Sequence, residues 1–141
     1  MVAICFNATM TRPQQLSMKR NLSHWLLALF FMVAGMFHFL FIANYEGIMP
    51  PWLPWHRALV IVSGLCEIAG SLGVLWHATR SYARYGLIAL CLAVFPANVQ
   101  MLLNAQVAHA SALWLTLLWI RLPLQILLIA WIWRATRPRA E

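Results

Sequence analysis

The chain has 141 residues, of which 63% are hydrophobic and 9% charged, whereas soluble domains run at roughly 45–50% apolar and about 25% charged. A fold of this length has too little interior to hide such a surface from water, which excludes an ordinary soluble domain. Ten Lys and Arg against three acidic residues give a net charge of +7, but the cations lie in short segments between long apolar runs, a pattern of membrane topology and headgroup contact rather than of nucleic-acid binding.

Residues 1–22 contain Arg12, Lys19 and Arg20 ahead of the first apolar run and are expected to form a disordered cytoplasmic extension. Met18-Lys19-Arg20 reads as a bacterial start, so residues 1–17 are an extension or lie outside the natural product. A basic pair before an apolar run also imitates a secretory signal. Here the run is about 20 residues long, continues past Gly35 and has no A-x-A site, so it is read as an uncleaved span.

Crossing roughly 30 Å of hydrocarbon takes about 20 mostly apolar residues. Four runs qualify, near residues 23–43, 58–76, 82–103 and 112–133, which makes the fold class all-α: an integral membrane four-helix bundle over residues 23–133. The connections are a Pro-rich segment at 44–57, a basic turn at 77–81 and a charge-free turn at 104–111, and 134–141 is a basic tail. Arg12, Lys19, Arg20, Arg80, Arg84, Arg134, Arg137 and Arg139 fall on one side and Arg57 alone on the other, so both termini are expected in the cytoplasm. Trp25, Tyr45, Trp52, Trp55, Trp76, Tyr82, Tyr85, Trp131 and Trp133 cluster at the span ends, as an interfacial aromatic belt does.

Polar residues inside spans carry the most information, because a charge facing lipid costs about 2.5–3.5 kcal/mol at the bilayer centre on insertion scales. Glu67 lies near the middle of the second run and Arg121 near the middle of the fourth. Both enter from the outer side and sit about ten residues, or about 15 Å, deep. The sequence therefore predicts an interior Glu67–Arg121 ion pair, with Gln125 one turn from Arg121 and within reach of either partner. His38 and Asn98 each fall about five residues from the outer end and share a depth just outside that pair. His38, Glu67, Asn98, Arg121 and Gln125 are thus the candidate intramembrane cluster; Asn98 is also suited to a plain interhelical hydrogen bond. Gln100 is a further candidate, although helical phase keeps Asn98 and Gln100 from facing inward together.

Pro96 and Pro123 fall within spans and predict local kinks. Ser63, Gly64, Glu67, Gly70 and Ser71 share one helix face, whose small residues allow close helix approach. Residues 44–57 hold three prolines and two tryptophans, and should lie in the interface as a cap over the outer end. Its candidate residues are Met49, Pro50, Pro51, Trp52, Pro54 and Arg57. Cys5, Cys66 and Cys91 form no C-x-x-C pair, and the last two read as packing residues. Two candidate donors on different helices, His38 and Glu67, do not amount to a metal site.

Several of these stretches resemble the DoxX family of small bacterial four-helix membrane proteins. They are His38-Phe39, Met49-Pro50-Pro51-x-Leu53-Pro54, Ser63-Gly64-x-x-Glu67-x-x-Gly70-x-x-Gly73, Phe95-Pro96-Ala97-Asn98 and Arg121-Leu122-Pro123-x-Gln125. The resemblance spans nearly everything from His38 to Gln125 and implies a bacterial inner-membrane protein whose polar positions are His38, Glu67, Asn98 and Arg121. Some members of that family are linked to quinone-dependent oxidation of sulfur compounds or to membrane redox complexes. No haem ligand pair, flavin motif or thiol pair accompanies the match here, so no cofactor is evident and an oxidoreductase role rests on fold analogy. The leading expectation is a non-catalytic or accessory subunit, at most part of a membrane oxidoreductase. Its cluster would bind a small amphipathic molecule such as a quinone for a membrane redox partner. A purely structural membrane protein and a small-solute transporter working as a homo-oligomer are the alternatives.

Overall fold

The computed structural model describes residues 12–138. Among them the chain forms α1 (Arg12–Leu40), the short α2 (Ile42–Glu46), α3 (His56–Leu75), α4 (Arg80–Val107) and α5 (Ala112–Thr136). Four of these, α1 through Asn21–Leu40 and α3, α4 and α5 in full, are long and apolar enough to cross a membrane. The chain is an all-α four-helix membrane bundle.

The helix ends differ from the expected ones where local chemistry decides. The disordered extension expected over residues 1–22 is helical from Arg12 onward, because Pro13 suits a first turn and Gln14, Gln15 and Leu16 are good helix formers; residues 1–11 lie outside the described residues. The third span runs on to Val107, leaving a shorter turn whose Ser111 accepts from the Trp114 backbone N–H at 3.3 Å and caps α5. Pro96 and Pro123 sit inside helices that continue on both sides of them. Arg80 donates from Nε to the Val74 carbonyl (2.9 Å), so a basic residue satisfies the free carbonyls at the end of α3.

The first turns of the α1 span and the end of α5 meet at one end of the bundle: Trp131 Nε1 donates to Ser23 Oγ at 2.9 Å, and His24 Nε2 lies 2.7 Å from the Ala135 carbonyl. That half is closed. Leu27 and Phe31 from α1, Val74 from α3, Leu87 and Cys91 from α4, and Ile132 and Ala135 from α5 form one buried cluster. Arg84 is buried there too, its guanidinium carbon 5.1 Å from the ring centroids of both Tyr85 and Trp133, so it is a packed cation of α4.

Toward the other end the buried cluster shrinks to Leu102, Ala105 and Leu118, all from α4 and α5. The helices thus group as two close pairs, α1 with α3 and α4 with α5, joined at the terminal half through α3 and α4. The gap between the pairs is roofed by residues 45–53. Asn104 Nδ2 donates to the Gly47 carbonyl at 3.1 Å and ties this cap to α4, while His56 Nε2 lies 3.1 Å from the Pro50 carbonyl within the cap.

Candidate functional site

Between the two helix pairs lies a cavity of about 790 Å³. All five predicted cluster residues, His38, Glu67, Asn98, Arg121 and Gln125, line it, as do Met49, Pro50 and Trp52 of the cap. Pro51, Pro54 and Arg57 do not. All three are exposed, and Arg57 extends along the cap with Nη1 4.0 Å from Glu46 Oε1. Gln100 stays outside as well and donates to Asn104 Oδ1 at 2.8 Å.

The site is built on a close crossing of α1 and α3. A Cβ on Gly35 would fall 2.8 Å from the Gly64 carbonyl and 3.1 Å from Glu67 Cβ, while one on Gly64 would fall 2.8 Å from His38 Cβ and 3.0 Å from the Gly35 carbonyl. Glycine is therefore required at both places for the backbones to meet. Each glycine lies three residues before a polar one, Gly35 before His38 and Gly64 before Glu67. The crossing consequently sets imidazole and carboxylate side by side, Nδ1 to Oε2 being 3.6 Å. His38 Nδ1 is also 3.1 Å from the Ala34 carbonyl. A carbonyl only accepts, so Nδ1 carries a proton and, in the neutral ring, Nε2 is left as an acceptor. The other side of the ring stacks on Tyr45, centroids 4.1 Å apart. Burial raises the Tyr45 hydroxyl above the usual tyrosine value, Glu67 adding to the effect and Arg121 opposing it, so Tyr45 is an O–H donor at neutral pH.

The predicted Glu67–Arg121 ion pair is not formed. Their depths match, but α3 and α5 lie across the bundle from each other, and the α1–α3 crossing turns Glu67 toward His38 instead. Arg121 reaches toward α4, where Nη1 lies 4.0 Å from Met101 Sδ, and among the described residues no carboxylate comes within ion-pair distance of it. Nor does Gln125 bridge that pair. Its amide accepts from Asn98 Nδ2 at 2.7 Å and donates to the Cys91 carbonyl, locking α5 to α4.

Glu67 is the unsettled member of the site. It is 8% exposed, and Oε2 is buried with no hydrogen-bond partner. Natural structures seldom leave a buried carboxylate oxygen unpaired. The cavity wall therefore combines an acceptor in want of a donor with a guanidinium that has no carboxylate partner among the described residues. His38 and Glu67 are ligand types for metals, and among the described residues no third His, Cys, Asp or Glu joins them.

Replacing Gln125 with leucine tests the α4–α5 lock. It leaves the Asn98 amide without its acceptor and removes the second donor to the Cys91 carbonyl, and is expected to lower stability by about 1–2 kcal/mol in thermal melts of detergent-solubilised protein.

Residues 27–136 match the model of a family described as a domain of unknown function (DUF8561). The chain is a member of that family. No curated protein and no solved structure matches it.

Proposed function

We propose that this protein is a non-catalytic or accessory membrane subunit that binds a small amphipathic molecule with a ring-sized polar head, such as a quinone, beneath the cap. The reading rests on the buried, unpartnered Oε2 of Glu67 at the wall of the cavity. A hydroxyl donor, such as that of a quinol, would satisfy it. The Arg121 guanidinium offers donors to a carbonyl across the same space. A volume of about 790 Å³ falls within the roughly 300–1,000 Å³ typical of small-molecule sites, and the apolar walls suit the ring. Nothing in this chemistry requires a bond to be made or broken, so the site is read as a holder that serves a membrane redox partner.

The resemblance of the motifs around His38, Glu67, Asn98 and Arg121 to the DoxX family supports the same reading. It also supports a place in the bacterial inner membrane, to which the flanking arginines add cytoplasmic termini. The structural alternative draws on the Asn98–Gln125 pair, whose 2.7 Å bond joins two helices without any ligand. Native mass spectrometry of protein released from a mild detergent separates the two. A stoichiometric quinone or lipid-like molecule in the wild type, lost from folded Glu67→Gln and Arg121→Gln, supports binding. An empty, folded wild type whose variants merely unfold supports the structural alternative.

A further inference from the structure

The cavity is bounded by two seams between the helix pairs, and they differ. On the α3–α4 side the helices meet over a longer stretch, with Gly70 against Leu87 and Gly73 against Ala83 toward the terminal end, and beyond it the cap is tied to α4 by the Asn104–Gly47 bond. On the α1–α5 side contact is sparse. The bonds and ring contact across it, Ser23–Trp131, His24–Ala135 and Phe30–Trp131, all lie toward the terminal end. Beyond Trp131 the facing residues are Phe30 and Ala34 on α1, and Leu124 and Leu127 on α5. All four line the cavity, and yet Phe30 is 47%, Leu124 52% and Leu127 63% exposed. A side chain that lines a cavity and is also open on the outside belongs to the rim of an opening. In a bundle that spans a bilayer, this rim faces hydrocarbon.

We infer that the α1–α5 seam is a lateral portal through which the ligand of the proposed site enters from the bilayer, and that its hydrocarbon tail stays in the portal, between Ala34 and Leu124, while its head sits at Glu67. This rests on the binding reading above and narrows it to single-tailed amphiphiles that partition into lipid. Two features carry it. The head site is continuous with an apolar, lipid-facing slit, and a cap bonded to α4 lies over the other end. The hydrogen bond between Trp131 and Ser23 fixes the inner end of the slit, so the tail has one direction in which to leave.

The experiment compares two probes on the full chain in lipid nanodiscs: a benzoquinone with a long isoprenoid tail, and the same ring without the tail. Retained quinone is counted by native mass spectrometry across a titration, and folding of each variant is checked by circular dichroism. Ala34→Trp and Leu124→Trp fill the slit; Ala89→Trp, exposed on α4 and outside the cavity lining, is the control. The portal predicts that each slit variant weakens the tailed probe at least about tenfold and leaves the tail-less ring bound as in the wild type, with Ala89→Trp altering neither. Three results overturn it: tailed binding lost in Ala89→Trp but kept in Ala34→Trp, tailed binding unchanged in all three variants, or both probes lost together from folded slit variants. A wild type that retains neither probe instead removes the binding reading itself, and the portal with it.

Discussion

Replacing Glu67 with leucine is expected to raise the melting temperature of ligand-free protein while abolishing ligand retention. The carboxylate is buried at 8% exposure, its Oε2 has no partner, and its nearest basic group is an imidazole nitrogen 3.6 Å away whose proton is directed to the Ala34 carbonyl. Removing a poorly compensated buried acid in favour of an apolar group of similar size relieves about 1–3 kcal/mol. A carboxylate that serves only to hold α1 to α3 would behave in the opposite way, since its loss would cost stability. Thermal unfolding in detergent, with and without added quinone, reads both quantities at once. A leucine variant that melts well below the wild type would assign Glu67 to packing. One that melts higher but gains nothing from quinone, where the wild type does gain, would place the cost of this residue on the side of function.

The bundle was legible because membrane helices write themselves in composition: a run of about 20 apolar residues has few alternatives in lipid. The boundaries were less so. The start of α1 depends on ordinary helix propensity over Arg12–Asn21, a signal hidden by the polar character that suggested disorder, and the extension of α4 to Val107 depends on how Asn104 meets the cap at Gly47.

Within the site, depth could be counted from sequence, and the five cluster residues do meet one cavity. Partner choice could not. Glu67 and Arg121 share a depth, but which side chains touch is decided by the order of helices around the ring and by how closely each pair approaches. That order puts α1 beside α3 and α5 across from it. The sequence did hold one clue to the true pairing. Gly35-x-x-His38 and Gly64-x-x-Glu67 repeat the same spacing on two consecutive spans, and in antiparallel helices that repeat sets each glycine opposite the other helix's polar residue, Gly35 by Glu67 and Gly64 by His38, close enough for the two polar side chains to meet. Tyr45, stacked on His38, left no such trace because it also fitted the aromatic belt.

The same repeat makes Gly35 and Gly64 the positions at which the smallest change should do the most damage. Gly35→Ala would push a methyl to within 2.8 Å of the Gly64 carbonyl, and Gly64→Ala would set one 3.0 Å from the Gly35 carbonyl. Both obstacles are backbone, so relief requires α1 and α3 to move apart rather than a side chain to turn. Overpacking of this kind costs about 1–3 kcal/mol, and leucine at either position should exceed that range. Gly70→Ala is also expected to destabilise, because its methyl would meet Leu87, a fully buried core side chain whose Cγ lies 2.7 Å from the added atom. Gly86→Ala should be close to neutral, since nothing lies within 4 Å of the added atom. Melts of the four alanine variants in one detergent should therefore place Gly35, Gly64 and Gly70 well below Gly86. Because His38 and Glu67 meet only through this crossing, the two variants at the crossing should also lose quinone retention in the fraction that remains folded. An intact site in a folded Gly64→Ala protein would mean that the imidazole and carboxylate are held together by something other than the approach of their helices.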